Sequence, residues 1–175
     1  ENIPLVVSQE GVVLPLSVLS ENFDAAAGSQ FGGVTNVELV SGFAGLGGVG
    51  GFSGDFLRNR TSGNPAGSTT ITINNLPPHN RVSFSFLLAV IDSWDGDRGG
   101  GDFFNVLVDG QSRFSHTFDN AGQGGFQSYS PVAGGELARS LDLGFSAGNL
   151  SGDSAYDMRN EPAFQDIVHV ADSIT

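Results

Sequence analysis

Val82-Ser83-Phe84-Ser85-Phe86-Leu87-Leu88-Ala89-Val90 is the stretch that decides the fold class. Phe84, Phe86, Leu88 and Val90 fall on one face of an extended chain, with Ser83 and Ser85 opposite. Side chains alternate across a strand, so this period marks a half-buried β-strand. Downstream, Phe104, Val106 and Val108 alternate and stop at Asp109-Gly110, a dipeptide that favours a tight hairpin. Phe114, His116 and Phe118 continue the meander. Upstream, Thr69 to Ile73 puts Ile71 and Ile73 on one face before Leu76-Pro77-Pro78 turns the chain. Leu141, Leu143 and Phe145 predict another strand, as do Ile167, Val168 and Val170. Helical periodicity is hard to find, because 26 glycines and 7 prolines interrupt the windows. Short strands separated by Gly, Asp and Asn, without helical crossovers, predict an all-β antiparallel sandwich or jelly roll.

The size, 175 residues, suits one domain. Aspartate and glutamate number 19 against 7 basic residues, all arginine, for a formal charge of −12. Such a chain repels phosphate backbones and anionic lipid heads, which argues against nucleic-acid and membrane-surface binding. Apolar residues make up 39% and include 14 phenylalanines, enough for a packed core. With no cysteine, neither disulfides nor thiolate metal sites staple the fold. No apolar run approaches the roughly 20 residues that span a bilayer, so membrane insertion is not expected. A start at Glu1, without Met or a basic n-region, is expected of a processed or trimmed chain. Asn59-Arg60-Thr61 and Asn149-Leu150-Ser151 match the N-glycosylation triplet, which is short enough to recur by chance.

Gly45-Leu46-Gly47-Gly48-Val49-Gly50 matches the GxGxxG spacing. A dinucleotide site needs a helix to open directly after it, and Gly51-Phe52-Ser53-Gly54 is a poor helix start. Ser41 to Gly54 is therefore read as a turned surface loop. Residues 1–20 form an N-terminal β arm, distinct from a sandwich domain over residues 21–175. The arm carries Ile3, Leu5 and Val7, then Val12, Leu14, Leu16 and Val18, separated by Gln9-Glu10-Gly11. Pro4 and Pro15 restrict such a strand to an edge or to a place where one side makes no ladder bond. It reads either as the domain's own first strand or hairpin, or as a strand available to a neighbour.

The densest chemistry follows the Val82–Val90 run. Asp92, Asp95, Asp97 and Asp102 lie on one glycine-rich loop. Calcium takes six to eight hard oxygens in a flexible shell, which such a loop supplies, although the spacing is not that of an EF-hand. Uncompensated, these carboxylates repel one another. The plainer reading is a solvated turn whose aspartates cap backbone amides. Asp153 and Asp157 are a second donor stretch. Trp94, Tyr129 and Tyr156 are the residues able to stack on a sugar, though a lone Trp at a strand end equally plugs a core.

Several blocks occur in a recognisable order. They are Phe56-Leu57-Arg58-Asn59, Leu76-Pro77-Pro78-His79, Phe84-Ser85-Phe86 and, most specifically, Ile91-Asp92-Ser93-Trp94-Asp95-Gly96. Phe103-Phe104-Asn105-Val106, Val108-Asp109-Gly110, Phe118-Asp119-Asn120 and Gln127-Ser128-Tyr129 continue the series. Over residues 52–175 the chain resembles a family of secreted bacterial β-sandwich domains similar to galactose-binding-like and lectin-like modules. The resemblance implies an extracellular, non-catalytic jelly roll and identifies no ligand. Family members continue beyond the segment matching Val168 to Thr175 into further strands, so the resemblance implies a sandwich one strand short. An incomplete sheet exposes unpaired backbone, and the apolar arm is a suitable filler, in its own chain or in the next one.

No Gly-x-Ser-x-Gly elbow or His-Glu-x-x-His motif is present, and His79, His116 and His169 are far apart in sequence. Paired carboxylates alone do not distinguish a glycosidase. The chain is therefore expected to be a non-catalytic extracellular structural subunit. Copies would join head to tail by donor-strand complementation into a fibre or surface layer, since a heterologous contact of this kind does not close. The alternative is a calcium-dependent, lectin-like carbohydrate-binding module.

Overall fold

The computed structural model describes residues 4–8, 16–39, 55–63, 65–120, 125–141 and 152–175. The chain opens with β1 (Leu5–Ser8), β2 (Leu16–Leu19), β3 (Phe31–Gly33), β4 (Asn36–Leu39) and β5 (Asp55–Arg58). Then come β6 (Thr69–Ile71), β7 (Ile73–Asn74), β8 (Arg81–Phe84), β9 (Leu87–Val90), β10 (Phe103–Val108) and β11 (Gln111–Thr117). β12 (Glu136–Leu141), β13 (Asp153–Asp157), β14 (Ile167–Val168) and β15 (Ser173–Ile174) complete it, with 3-10 turns at Arg98–Gly100 and Pro162–Phe164. Every pairing among the described strands is antiparallel, so the fold is all-β. The largest sheet runs β14-β8-β1-β2 and the next β12-β13-β9; β10-β11, β15-β7, β3-β6 and β4-β5 pair two by two.

The Val82–Val90 run is two strands, not one. β8 pairs with β1 up to Phe84, and β9 pairs with β13 from Leu87 onward. At the junction the Ser85 N–H reaches the Pro4 carbonyl, and the Phe86 carbonyl accepts from Met158 N–H. Changing ladder partners within one extended run carries the chain from one sheet to another while the side-chain alternation continues. That is why the periodicity reads through the break. Thr69 to Ile73 divides in the same way, with Ile71 opposite Phe31 and Ile73 opposite Ile174.

The arm lies inside its own molecule. β1 sits between β8 and β2, with Leu5 opposite Phe84 and Leu19, and Val7 opposite Val82 and Leu16. An edge position thus holds for β2 but not for β1, where Pro4 falls one residue before the strand and removes no ladder donor from it. Leu5 and Val7 are buried, Val18 and Leu19 half-buried, and Leu16 is 55% exposed. Ile3, Val12 and Leu14 lie outside the described residues, as do Ser41–Gly54 and the Asn149-Leu150-Ser151 triplet.

Two apolar clusters meet at Phe84. Leu5, Val7, Leu76, Val82, Val108, Ile167 and Ile174 form the first. Val90, Phe114, Phe118, Tyr129, Tyr156, Met158 and Phe164 form the second. Burial of a large apolar side chain contributes about 1.5–3 kcal/mol, so these residues outweigh any single polar contact. β13 is buried along its whole length, and β9 points Leu88 and Val90 to the aromatic cluster but Leu87 and Ala89 to a third group around Ala138 and Ala155. The strand expected around Leu141 ends there, since β12 begins at Glu136; Leu143 and Phe145 lie outside the described residues. Of the strand expected over Ile167, Val168 and Val170, only Ile167–Val168 is strand, and Val168 and Val170 are exposed.

Candidate functional site

The acidic loop leaves β9 over a buried polar seat. Asn120 donates to the carbonyls of Val90 and Asp92 at 2.8 and 3.3 Å, and its own carbonyl accepts from Ser154 Oγ. Asp153, fully buried, accepts the Asp92 N–H at 2.9 Å. Asp92 has φ 68, a left-handed conformation that Asp tolerates better than most residues. The Asp92 carbonyl also accepts from Trp94 N–H, whose own carbonyl accepts from Asn120 N–H.

Two of the four loop carboxylates accept from backbone donors. Asp102 accepts the Asp95 N–H at 3.0 Å, and Asp97 accepts the Phe126 N–H at 2.9 Å. Asp95 forms an isolated antiparallel bridge with Asp119. Gly125 approaches Asp95 so closely that a Cβ there would lie 1.8 Å from the Asp95 carbonyl oxygen. Among the described residues no three His, Asp or Glu side chains gather in a way that could hold a metal ion. The four sequence-predicted ligands thus share one loop, but at least two of them cap amides. The second donor stretch is divided: Asp153 serves Asp92, whereas Asp157 is held by Arg159 through both carboxylate oxygens. The Arg159 guanidinium keeps the Asp157 carboxyl below its ordinary range, against the opposing effect of burial.

The three sugar-stacking candidates come together around Phe118, the two tyrosines buried and Trp94 half-buried. Phe118 has no exposed surface; its ring lies 6.0 Å from Trp94 and 5.1 Å from both Tyr129 and Tyr156. Tyr129 and Tyr156 are 5% and 0% exposed, so neither presents a ring face to a ligand. This corrects the stacking role of the two tyrosines, whose placement edge-to-face and tilted aromatic packing accounts for; Trp94 is half-buried. Tyr129 donates its hydroxyl to Glu161 at 3.1 Å, and burial, with that carboxylate beside it, pushes its phenol well above the ordinary range. Burial also raises Tyr156. Asn59 of the first glycosylation triplet is exposed and engaged locally, donating to Gly67 O and accepting from Thr61.

Two histidines that sequence keeps 90 residues apart are joined: His79 Nε2 lies 2.6 Å from His169 Nδ1. Both are buried, and His169 Nε2 is 3.1 Å from Asp109 Oδ2. The available signal was the two-residue period that buries Ile167 and His169 and exposes Val168 and Val170. His116 remains separate, near Ser128. A shallow concavity lined by Pro4, Val6, Ser83, Phe84, Arg159 and Gln165 borders β1 and β8. Among the described residues no helix is long and apolar enough to cross a membrane. No family model, curated protein or solved structure matches the chain.

Proposed function

We propose that this chain is a non-catalytic structural subunit, an extracellular β-sandwich of jelly-roll type that joins head to tail with its own copies by exchanging the N-terminal hairpin. The observation that carries the reading is the place of β1: a strand at the start of the described chain fills an interior position, between β8 and β2, and buries Leu5 and Val7 there. A hairpin that docks on β8 in its own chain meets the same surface on a neighbour, and exchange of an identical element is a low-cost route to assembly. The cis arrangement is the closed monomer; the fibre requires the hairpin to leave this slot. The family resemblance of residues 52–175 supports the extracellular setting.

Calcium on the loop bearing Asp92, Asp95, Asp97 and Asp102 is a separate part of the proposal, supported by the density of carboxylates. The lectin-like alternative is left with half-buried Trp94 for stacking, since Tyr129 and Tyr156 are buried, and no specific contact favours it. Light scattering and negative-stain microscopy on the full chain, on a chain starting at Asn22, and on that shortened chain with a peptide of residues 1–20 test the assembly. Concentration-dependent oligomers of the full chain and recapture of the peptide by the shortened one are expected. A full chain that stays monomeric at every concentration and exchanges no labelled arm overturns the reading.

A further inference from the structure

Pro77, His79, His169 and Asp109 form one line of polar atoms across three separate segments. His79 Nδ1 is 2.7 Å from the Pro77 carbonyl, His79 Nε2 is 2.6 Å from His169 Nδ1, and His169 Nε2 is 3.1 Å from Asp109 Oδ2. The ring planes are 13° apart and the centroids 4.9 Å apart, which with so short an N···N contact sets the rings end to end. Both rings are buried, at 8% and 7% exposure. The Asp109 oxygen is close to His169 Nε2 but not aligned as a hydrogen-bond acceptor, so that contact is an ion-pair distance without a formed bond.

The line begins at a carbonyl and ends at a carboxylate, both acceptors only, and has three gaps. The first two gaps are hydrogen-bond contacts and need one proton each, because facing lone pairs repel; at the third, a neutral pair leaves the bare lone pair of buried His169 Nε2 3.1 Å from the half-exposed Asp109 carboxylate. Two neutral imidazoles carry only two protons between them. We propose that His79 and His169 together hold a third proton opposite the Asp109 carboxylate, and that this proton latches the C-terminal segment to the rest of the fold.

The surroundings make this a latch. Asp109 stands at the β10–β11 turn, where its other oxygen accepts the Thr175 N–H at 2.9 Å and its own N–H donates to Thr175 O. The Asp172 carbonyl accepts from Leu76, and His169 N–H donates to Asn80 O. The charged side chains on the neighbouring segments are Asp109, exposed Asp172, Asp166 and Arg81, whose guanidinium donates to the Asp166 carbonyl. Among the described residues Asp109 is the carboxylate within ion-pair distance of either ring. β14 and β1 flank opposite sides of β8, so opening the latch would free the edge of β8 that the arm does not use.

The folded chain then binds one proton more than an unfolded chain whose histidines are neutral above about pH 6.5. Its stabilising effect is present on the acid side of that range and is lost as the pH rises and the proton leaves. Asp109→Asn supplies the test. An asparagine keeps the oxygen for Thr175 and adds an N–H able to serve a neutral His169, so two protons suffice.

Thermal unfolding of both full chains at about pH 6 and about pH 9 is expected to show a fall larger by roughly 3 °C or more in the parent. Long-range proton–nitrogen NMR on the parent at about pH 6 is expected to find three protonated ring nitrogens in the pair. Equal pH responses of the two chains overturn the proposal. Should Asp109→Asn fail to fold, the nitrogen count decides alone, and two protonated nitrogens overturn it.

Discussion

Val7 and Val82 stand opposite each other across β1 and β8, and their side chains are 3% and 0% exposed. The arm is thus part of the core cluster that also contains Ile167 and Ile174, rather than an appendage. Leu5→Ala is expected to cost about 2–4 kcal/mol, because it removes buried methyl groups and leaves a cavity. Leu16→Ala, on the exposed outer strand, is expected to change stability by about 0.5 kcal/mol or less. Urea unfolding of both variants checks the contrast, and equal effects would place the arm outside the core.

Asp157 and Arg159 supply a pH-dependent contribution of the opposite sign to the latch. The folded-state carboxyl is held below its ordinary value by Arg159. Its contribution is therefore present above the ordinary aspartate value, about 3.9, and is lost as the pH falls through the lower folded value. Arg159→Ala is expected to cost on the order of 1–2 kcal/mol at neutral pH. It should also flatten the acid limb of a stability–pH curve, and an unchanged limb would remove the pair from the account.

The carboxylates that cap the acidic loop separate the two readings of that loop. Asp97→Ala and Asp102→Ala each strip an acceptor from a backbone N–H, of Phe126 and Asp95 respectively, and are expected to cost about 1–2 kcal/mol. If capping is their whole role, the losses are equal in calcium and in chelator. A melting temperature that rises with calcium in the parent and not in Asp97→Ala would assign the metal role instead.

Gly125→Ala tests the close approach beneath the loop. The added Cβ would sit 1.8 Å from a backbone oxygen, which no side-chain rotation relieves. A loss of about 2 kcal/mol or more is expected on thermal or urea unfolding, comparable to other cases of overpacking. A neutral substitution would mean that the 95–96 and 125 segments do not pack as described.

The β10–β11 hairpin was legible from local pattern. Asp109 and Gly110 have φ 50 and 75, the positive values of a type I′ turn, and Val108 pairs with Gln111 as that turn requires. The Val82–Val90 alternation likewise placed Val90 in a core, but it carried no mark of the change in ladder partner at Ser85. The stacking residues misled for a related reason. A tyrosine on a strand or at its edge has the same local signature whether its ring faces solvent or Phe118.

Sequence by itself determined the all-β class, the acidic loop and its amide-capping option, since alternation, turn dipeptides and charge density are local properties. Tertiary structure alone decided that β1 is an interior strand, that the aromatic residues close a core and that His79 meets His169. Each of these depends on which distant backbone completes a ladder or shares a buried face. The two-residue period at Ile167 and His169 marks burial, but nothing local in it names a partner 90 residues away.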